Sequence, residues 1–516
     1  MHIGTIISFL GCIAVPVALD AADAPPTAKP PATRPAAPAT KPAVPEAAVK
    51  ATVERAVRYL RNTQHDQGGW GHVEIVNPGL SRLQGLDVPQ LAGDPMRRRF
   101  YSTPSLSGTG PAVLALLEAG QSLTEGSAAA RLRAGLEFVH EGLTVGEQHA
   151  RRPMVPGEGI LLTPGRGVQG LVQNPGGGTS VVLPTQSARL MNDDAACAVA
   201  VEAMLAARRG AADTMARLRI EAAAMAGVDR LRRDHQGNGT WPEGVEEAAN
   251  LAAAHVTGFA VASVGGLGKT TVMMNANPTP PPPPSSHPVL GDALILRTLS
   301  IAAREGISVD GPTVAAARAQ MARLYDPRTG RLGGGGPQAY YQAVAVLNML
   351  YQADVDARRL AAAAGPAANN SPDPAAAAGA AAARAALEGA QAAFFKELRD
   401  ANQPRPAAAA NAAGKNPLDQ NPLDPPKAAD AGKDGAGGGD VRIRVPVTSA
   451  DLIAYFLLLE SLRDSTHPDA RPVRDGIVQA IVRRQHAGGW FVSDGDHFAT
   501  AWATRVLLLP PPAAVK

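Results

Sequence analysis

The residues best equipped for chemistry are two adjacent carboxylates, Asp193 and Asp194, in the run Met191-Asn192-Asp193-Asp194-Ala195-Ala196. A carboxyl that donates a proton must be desolvated enough to stay protonated near neutral pH. The same pair suits a plainer task, because Asn192 or Asp193 ahead of an apolar run caps a helix and complements its dipole. Other groups divide in the same way. Asp494, Asp496 and His497 gather carboxylate and imidazole ligands, but no distant partner joins them, and Asp496 reads as an N-cap. Glu243, Glu246 and Glu247 cluster after Trp241, as paired carboxylates for glycoside hydrolysis would; a solvated acidic turn accounts for them more simply. Cys197, on an apolar helix face, reads as core. Val264 to Thr271 carries the Gly-Lys-Thr of a phosphate loop, yet Ser263 stands where the first Gly belongs, the approach is helical, and a proline tract, Pro280 to Pro284, follows. His65, His72 and His255 lack ligand spacing. No metal and no cofactor is expected.

The elements that must position these residues are helices. Val49, Val53, Ala56, Val57 and Leu60 make one apolar face, as do Ile220, Ala224, Val228 and Leu231, and again Val473, Ile477, Ala480 and Ile481. Each face runs into a related turn. The first is Gln64-His65-Asp66-Gln67-Gly68-Gly69-Trp70, and the last is Gln485-His486-Ala487-Gly488-Gly489-Trp490. A worn copy between them ends Gly237-Asn238-Gly239-Thr240-Trp241. Glycine stops a helix in the left-handed conformation without a Cβ clash, the Trp folds back to bury its ring, and the Gln bonds carbonyls left open at the helix end. A second, more apolar helix follows, with Leu106, Val113, Leu114 and Leu117 in the first unit and Phe498, Trp502, Val506 and Leu509 in the last. Such a unit cannot bury its own face and must stack on neighbours. The periodicity predicts helices over about 48–63, 106–120, 128–142, 192–209, 213–233, 246–264, 290–304, 313–324, 338–353, 380–400, 448–464, 472–485 and 497–509.

The Gln…Gly-Gly-Trp pattern after an amphipathic helix resembles the QW repeat of the squalene cyclase and protein prenyltransferase superfamily, the prenyltransferase/squalene oxidase repeat. The resemblance rests on Gln64, Gly68, Gly69, Trp70, Trp241, Gln485, Gly488, Gly489 and Trp490. A fourth candidate, Tyr325 to Gly334, has no Trp. The resemblance implies an all-α fold, an α/α toroid of about five to six helix hairpins with inner and outer helices around a central cavity. It also implies that Asp193, with Asp194 beside it, matches part of the acid motif of class II terpene cyclases, with Asp193 as proton donor. The first Asp of that motif is Met191 here and its Thr is Ala195. The Asp-x-Cys zinc spacing of protein prenyltransferases is absent, since residue 195 is Ala. Carbocation cyclases line their cavity with aromatic rings, whereas this chain holds only 4 Trp, 7 Tyr and 9 Phe in 516 residues.

Composition narrows the function further. With 45% hydrophobic and 18% charged residues, the chain can bury a large core. A net charge of +3 and the lack of Lys/Arg blocks argue against nucleic acid. Ile3 to Leu19 is apolar, with small residues through Ala24, and reads as a signal peptide over 1–24, although no Lys or Arg precedes it. A Pro/Ala-rich linker over 25–47 follows, then the toroid over 48–353 with a Pro-rich insertion at 265–288, a low-complexity, mostly disordered insertion over 354–446, and C-terminal repeats over 447–510. No run in the mature chain is long enough to span a bilayer free of charge or proline. The expectation is an exported binding or scaffold relative of the squalene cyclases, engaging an apolar small molecule or a protein. Alternatives are a terpenoid cyclase using Asp193 and a carbohydrate-active toroid. An aromatic cavity at Asp193 favours the cyclase, two facing carboxylates in an open groove favour the hydrolase, and a filled or polar centre favours binding.

Overall fold

In a computed structural model of the chain, the described residues are 44–65, 68–73, 102–146, 170–173, 179–182, 193–242, 245–246, 286–333, 338–363, 373–402, 449–491 and 496–512. They are mostly helical. Twelve helices occur among them: α1 Glu46–Asn62, α2 Leu106–Glu118, α3 Ala129–Thr144, α4 Asp193–Arg208, α5 Thr214–Asp234, α6 Pro288–Arg304, α7 Gly311–Ala322, α8 Ala339–Ala363, α9 Pro374–Asn402, α10 Ser449–Ser461, α11 Ala470–Val482 and α12 Asp496–Leu508. Four short antiparallel hairpins complete the described residues. They pair β1 Gly71–Val73 with β2 Ser102–Pro104, β3 Gly170–Gln173 with β4 Thr179–Val182, β5 Val245–Glu246 with β6 Ser286–His287, and β7 Tyr325–Asp326 with β8 Arg331–Leu332. No helix among the described residues is long and apolar enough to cross a membrane.

The helices sort into two sets by the width of their apolar surface. The odd-numbered ones are amphipathic; α1, for example, buries Thr52, Ala56, Val57, Tyr59 and Leu60 and turns Glu54, Arg55 and Arg58 outward. The even-numbered ones are buried on all sides, as in α4, where every residue from Asp194 to Leu205 is buried. A helix that is apolar all round needs neighbours all round. Those neighbours are the other even-numbered helices: α2 packs on α4, α4 on α6, α6 on α8, α8 on α10, α10 on α12, and α12 back on α2. The odd-numbered helices lie against this closed circuit, α5 on α4, α9 along α8 and α1 on α12. Small residues let the even helices approach closely. A Cβ on Gly110 of α2 would lie 3.1 Å from the Ala200 nitrogen of α4.

The connections are unequal. Those leading from an odd to an even helix include 63–105, 145–192, 235–287 and 403–448, whereas those leading from even to odd are the short 119–128, 209–213, 305–310, 364–373 and 462–469. The even helices start together at one end, where the His287 ring at the head of α6 lies 4.2 Å from Tyr341 of α8, and Tyr341 donates to Asp451 of α10 at 2.9 Å. All the long connections therefore attach at that end.

Two boundaries differ from expectation. The first block of repeats was expected to end at 353, but α8 continues to Ala363, and the helix expected over about 380–400 within the insertion is longer, Pro374–Asn402, and packs along α8. Alanine is the best helix former, and Leu387, Phe394 and Phe395 supply a buried stripe that anchors the alanine-rich stretch. The helix expected over 246–264 does not begin as such, since Glu246 pairs with Ser286 in a β-ladder; residues 247–264 lie outside the described residues, as do 1–43, 265–285 and 403–448.

Candidate functional site

The three glycine turns are built alike, and their hydrogen bonds fix the register. In the first, His65 N–H donates to the Gly69 carbonyl and Gly68 N–H to the His65 carbonyl. The same two bonds join Gln236 to Thr240 and Gly239 to Gln236, then His486 to Trp490 and Gly489 to His486. Gly68, Gly239 and Gly489 therefore correspond, with φ of 90°, 93° and 98°. This corrects the expected alignment of the last turn by one residue. Gly489, not Gly488, takes the left-handed position of Gly68, and Phe491, not Trp490, takes the place of Trp70 and Trp241. Phe491 is buried, whereas Trp490 sits where Gly69 does, half-buried and stacked on His486 at 3.9 Å. The Trp rings at the matching positions of the first two turns act alike. Each donates from Nε1 to a carbonyl ten residues back, Trp70 to Leu60 and Trp241 to Leu231, both at 2.8 Å.

Each turn fastens one odd helix to the next. A Cβ on Gly68 would lie 2.6 Å from the Ala134 carbonyl oxygen of α3, one on Gly239 2.4 Å from that of Ala316 in α7, and one on Gly489 2.4 Å from that of Arg55 in α1. The Gln side chain spans the same joint. Gln64 donates to the Gly68 carbonyl and to the Arg131 carbonyl of α3 at 2.7 Å. Gln485 donates to the Gly489 carbonyl at 3.0 Å and to the Thr52 carbonyl of α1 at 2.8 Å. The Gln was expected to satisfy its own helix end; it also reaches the neighbouring helix. The last turn thus closes on the first helix.

At the centre of the even helices lies a polar layer to which all six contribute. Glu202 of α4 accepts from Arg297 Nη1 of α6 at 2.5 Å and from Arg505 Nη2 of α12 at 2.6 Å. Arg297 forks onto Glu460 of α10 at 2.7 and 2.8 Å. Arg505 binds Glu118 of α2 at 2.9 and 3.0 Å. Asn348 and Gln352 of α8 donate to Glu460 at 2.9 and 3.2 Å. The Phe456 ring carries both guanidiniums, Arg297 at 4.9 Å and Arg505 at 4.2 Å. Burial pushes the Glu202 carboxyl up, but Arg297 and Arg505 outweigh it and hold Glu202 below the ordinary carboxylate range. Burial likewise opposes the Arg297 charge, and Glu202 with Glu460 more than restores it. Forked guanidinium–carboxylate contacts are the geometry that makes a buried ion pair tolerable.

This layer joins the even helices to one another. Residues 343–352 of α8, 452–459 of α10 and 497–507 of α12 are buried without a break, whereas Glu118, at the end of α2, reaches solvent.

The candidate residues scatter around this centre. Helix α4 starts at Asp193, whose side chain lies outside the described residues, while Asp194 is buried at the start of the helix. Cys197 is buried, with Sγ 3.6 Å from the Gly227 carbonyl of α5, a core position. The His497 Nδ1 lies 3.0 Å from the Gly71 carbonyl, tying α12 to β1. Glu243, Glu247, Asp494, Arg97 to Arg99 and the Gly-Lys-Thr run fall outside the described residues, and so does the side chain of Glu246. No group of three or more His, Cys, Asp or Glu that could hold a metal occurs among the described residues. Sequence reasoning missed Asp292. It is the single acid in the apolar run Pro288 to Leu296, and its Oδ1 accepts the Trp241 N–H at 3.1 Å. Burial, and then Asp194, push its carboxyl up to about 7 against the restraint of that hydrogen bond.

Compared with known proteins, the chain matches no family model and no curated sequence.

Proposed function

We propose that the chain is an α/α toroid of six helix hairpins that works as an exported binding scaffold, a divergent relative of the squalene cyclase type. The observation that carries this reading is the ion-pair layer packed between the even helices. A terpenoid cyclase needs a cavity between its inner helices large enough to fold a substrate. Here Glu202, Arg297, Arg505 and Phe456 are buried between those helices, joined by Glu460 and by Glu118 at the solvent edge, and on this reading they fill the axis. A glycosidase needs two carboxylates facing across an open groove; Asp194 and Asp292 are both buried.

The surface left for binding is the end where the even helices begin. Repeat architectures carry their insertions on one face, often the binding face, and the connections 63–105, 145–192, 235–287 and 403–448 all attach there. The partner on this reading is a protein or an apolar small molecule held among those connections. Export rests on the leader-like residues 1–24.

The test is native mass spectrometry and lipid extraction of the full chain from its own exported fraction, with chemical cross-linking in the cell. Cross-links to one protein, concentrated in the four long connections, support the scaffold, as does an unmodified apolar ligand lost when those connections are trimmed. Turnover of an isoprenoid, abolished by Asp193→Asn, overturns it in favour of a cyclase. Recovery of the chain only inside the cell removes the exported part of the proposal.

A further inference from the structure

The aromatic residue of each glycine turn is tied by its backbone N–H to a side chain on the following even helix. Trp70 donates to Thr109 Oγ1 of α2 at 3.0 Å, and Phe491 donates to Thr500 Oγ1 of α12 at 3.2 Å. Trp241 donates to Asp292 Oδ1 of α6 at 3.1 Å. Two turns use a hydroxyl, which is neutral at every accessible pH. The third uses a carboxyl, 8% exposed, between Gly291 and Ala293.

The surroundings of Asp292 make that difference consequential. From α4 the buried Asp194 faces it, a like charge. From the turn comes His235, whose ring meets Trp241 edge-on at 4.9 Å. At the head of its helix, His287 lies against Tyr341 of α8, which donates to Asp451 of α10. Among the described residues, no cation offsets the Asp292 charge. A buried carboxylate with a like neighbour and no cation is strongly disfavoured. An opened turn that admits water removes this penalty.

We propose that Asp292 is an acid-tightened clamp: protonated, it holds the Trp241 turn to α6, and ionised beside Asp194, it lets that turn open together with the β5–β6 foot of the 235–287 connection. The pH window follows from the two carboxyl states. In the opened turn Asp292 ionises at an ordinary value near 4; in the closed turn it ionises at about 7. Below both values closure is unaffected by pH. Between them each rise of one pH unit favours opening by up to about tenfold, and above about 7 the effect levels off. Acidification from neutrality therefore tightens the clamp. This inference does not depend on what the long connections bind.

The test is hydrogen exchange of the full chain between pH 4.5 and 7.5, corrected for intrinsic exchange rates, comparing the three turns. The expected result is protection around residues 236–246 that rises at least about tenfold on acidification across this range, with no matching rise around Gly68 or Gly489. Asp292→Thr, which installs the hydroxyl of the sister turns, is expected to erase the difference, and Asp194→Asn to reduce it. Asp292→Asn, which keeps an uncharged acceptor of the same shape, serves if the Thr variant does not fold. A pH response shared equally by all three turns, or one that survives both Asp292 variants, overturns the proposal.

Discussion

Arg297→Met is the substitution that strikes the central layer hardest. It removes a buried cation that donates to Glu202 and forks onto Glu460, while keeping the length of the side chain. Glu202 retains Arg505, whereas among the described residues Glu460 keeps the amides of Asn348 and Gln352 and the more distant charge of Arg304, with no bonded guanidinium. Breaking one side of a buried ion pair costs about 3–5 kcal/mol, because the remaining charge stays buried without its counterion. For a folded unit of this size that corresponds to a fall in Tm on the order of 10 °C. Urea denaturation followed by circular dichroism at neutral pH measures the cost directly. It should change little between low and high salt, since buried charges are poorly screened. Adding Glu460→Met removes the orphaned carboxylate, so the double variant should be more stable than Arg297→Met alone. Additive effects, or a single variant within about 0.5 kcal/mol of the parent, would refute the claim that this layer is one coupled network.

The turns give two further expectations. Gly68→Ala, Gly239→Ala and Gly489→Ala each combine a positive φ with a Cβ 2.4–2.6 Å from the next helix's carbonyl, so each should cost more than Gly126→Ala, whose φ is 84° but whose Cβ meets nothing within 4 Å; the last should cost only about 1–2 kcal/mol by thermal denaturation. The corrected register predicts that Phe491→Ala costs about 3–5 kcal/mol, well above Trp490→Ala, and the opposite order would restore the Gly-Gly-Trp alignment.

Much of the helix order was legible because amphipathic periodicity is a local signal. The expected 313–324 became Gly311–Ala322, and 472–485 became Ala470–Val482. The register of the last turn was misread because the string Gly-Gly-Trp was matched from the Trp. Counting from the glutamine gives the structural answer, since Gln64 to Gly68 and Gln485 to Gly489 have the same spacing. That spacing matters because the Gln amide and the left-handed glycine grip the same neighbouring helix. The central layer was invisible as a unit. Its charges lie far apart in sequence, Arg297 joining Glu202 and Glu460, and Arg505 joining Glu118. Each nonetheless interrupts a run of uncharged residues in its helix, and a charge so placed is rarely buried unless paired. Asp292 carried the same mark. The candidate carboxylates Asp193 and Asp194 drew attention by adjacency, whereas adjacency along a helix places two side chains on different faces.

The most direct test of the filled axis is xenon titration of the full chain, followed through the methyl resonances of Ala, Val and Leu on α4, α8 and α10. Dry apolar cavities of about 150 Å³ take up xenon, and a cyclase-like chamber would be larger. The account predicts no saturable shift in the parent protein and a saturable one in Ile453→Ala, which opens a void at a fully buried position of α10. Saturable binding by the parent, centred on the inward methyls of the even-numbered helices, would contradict it and return the argument to a chamber built for a ligand.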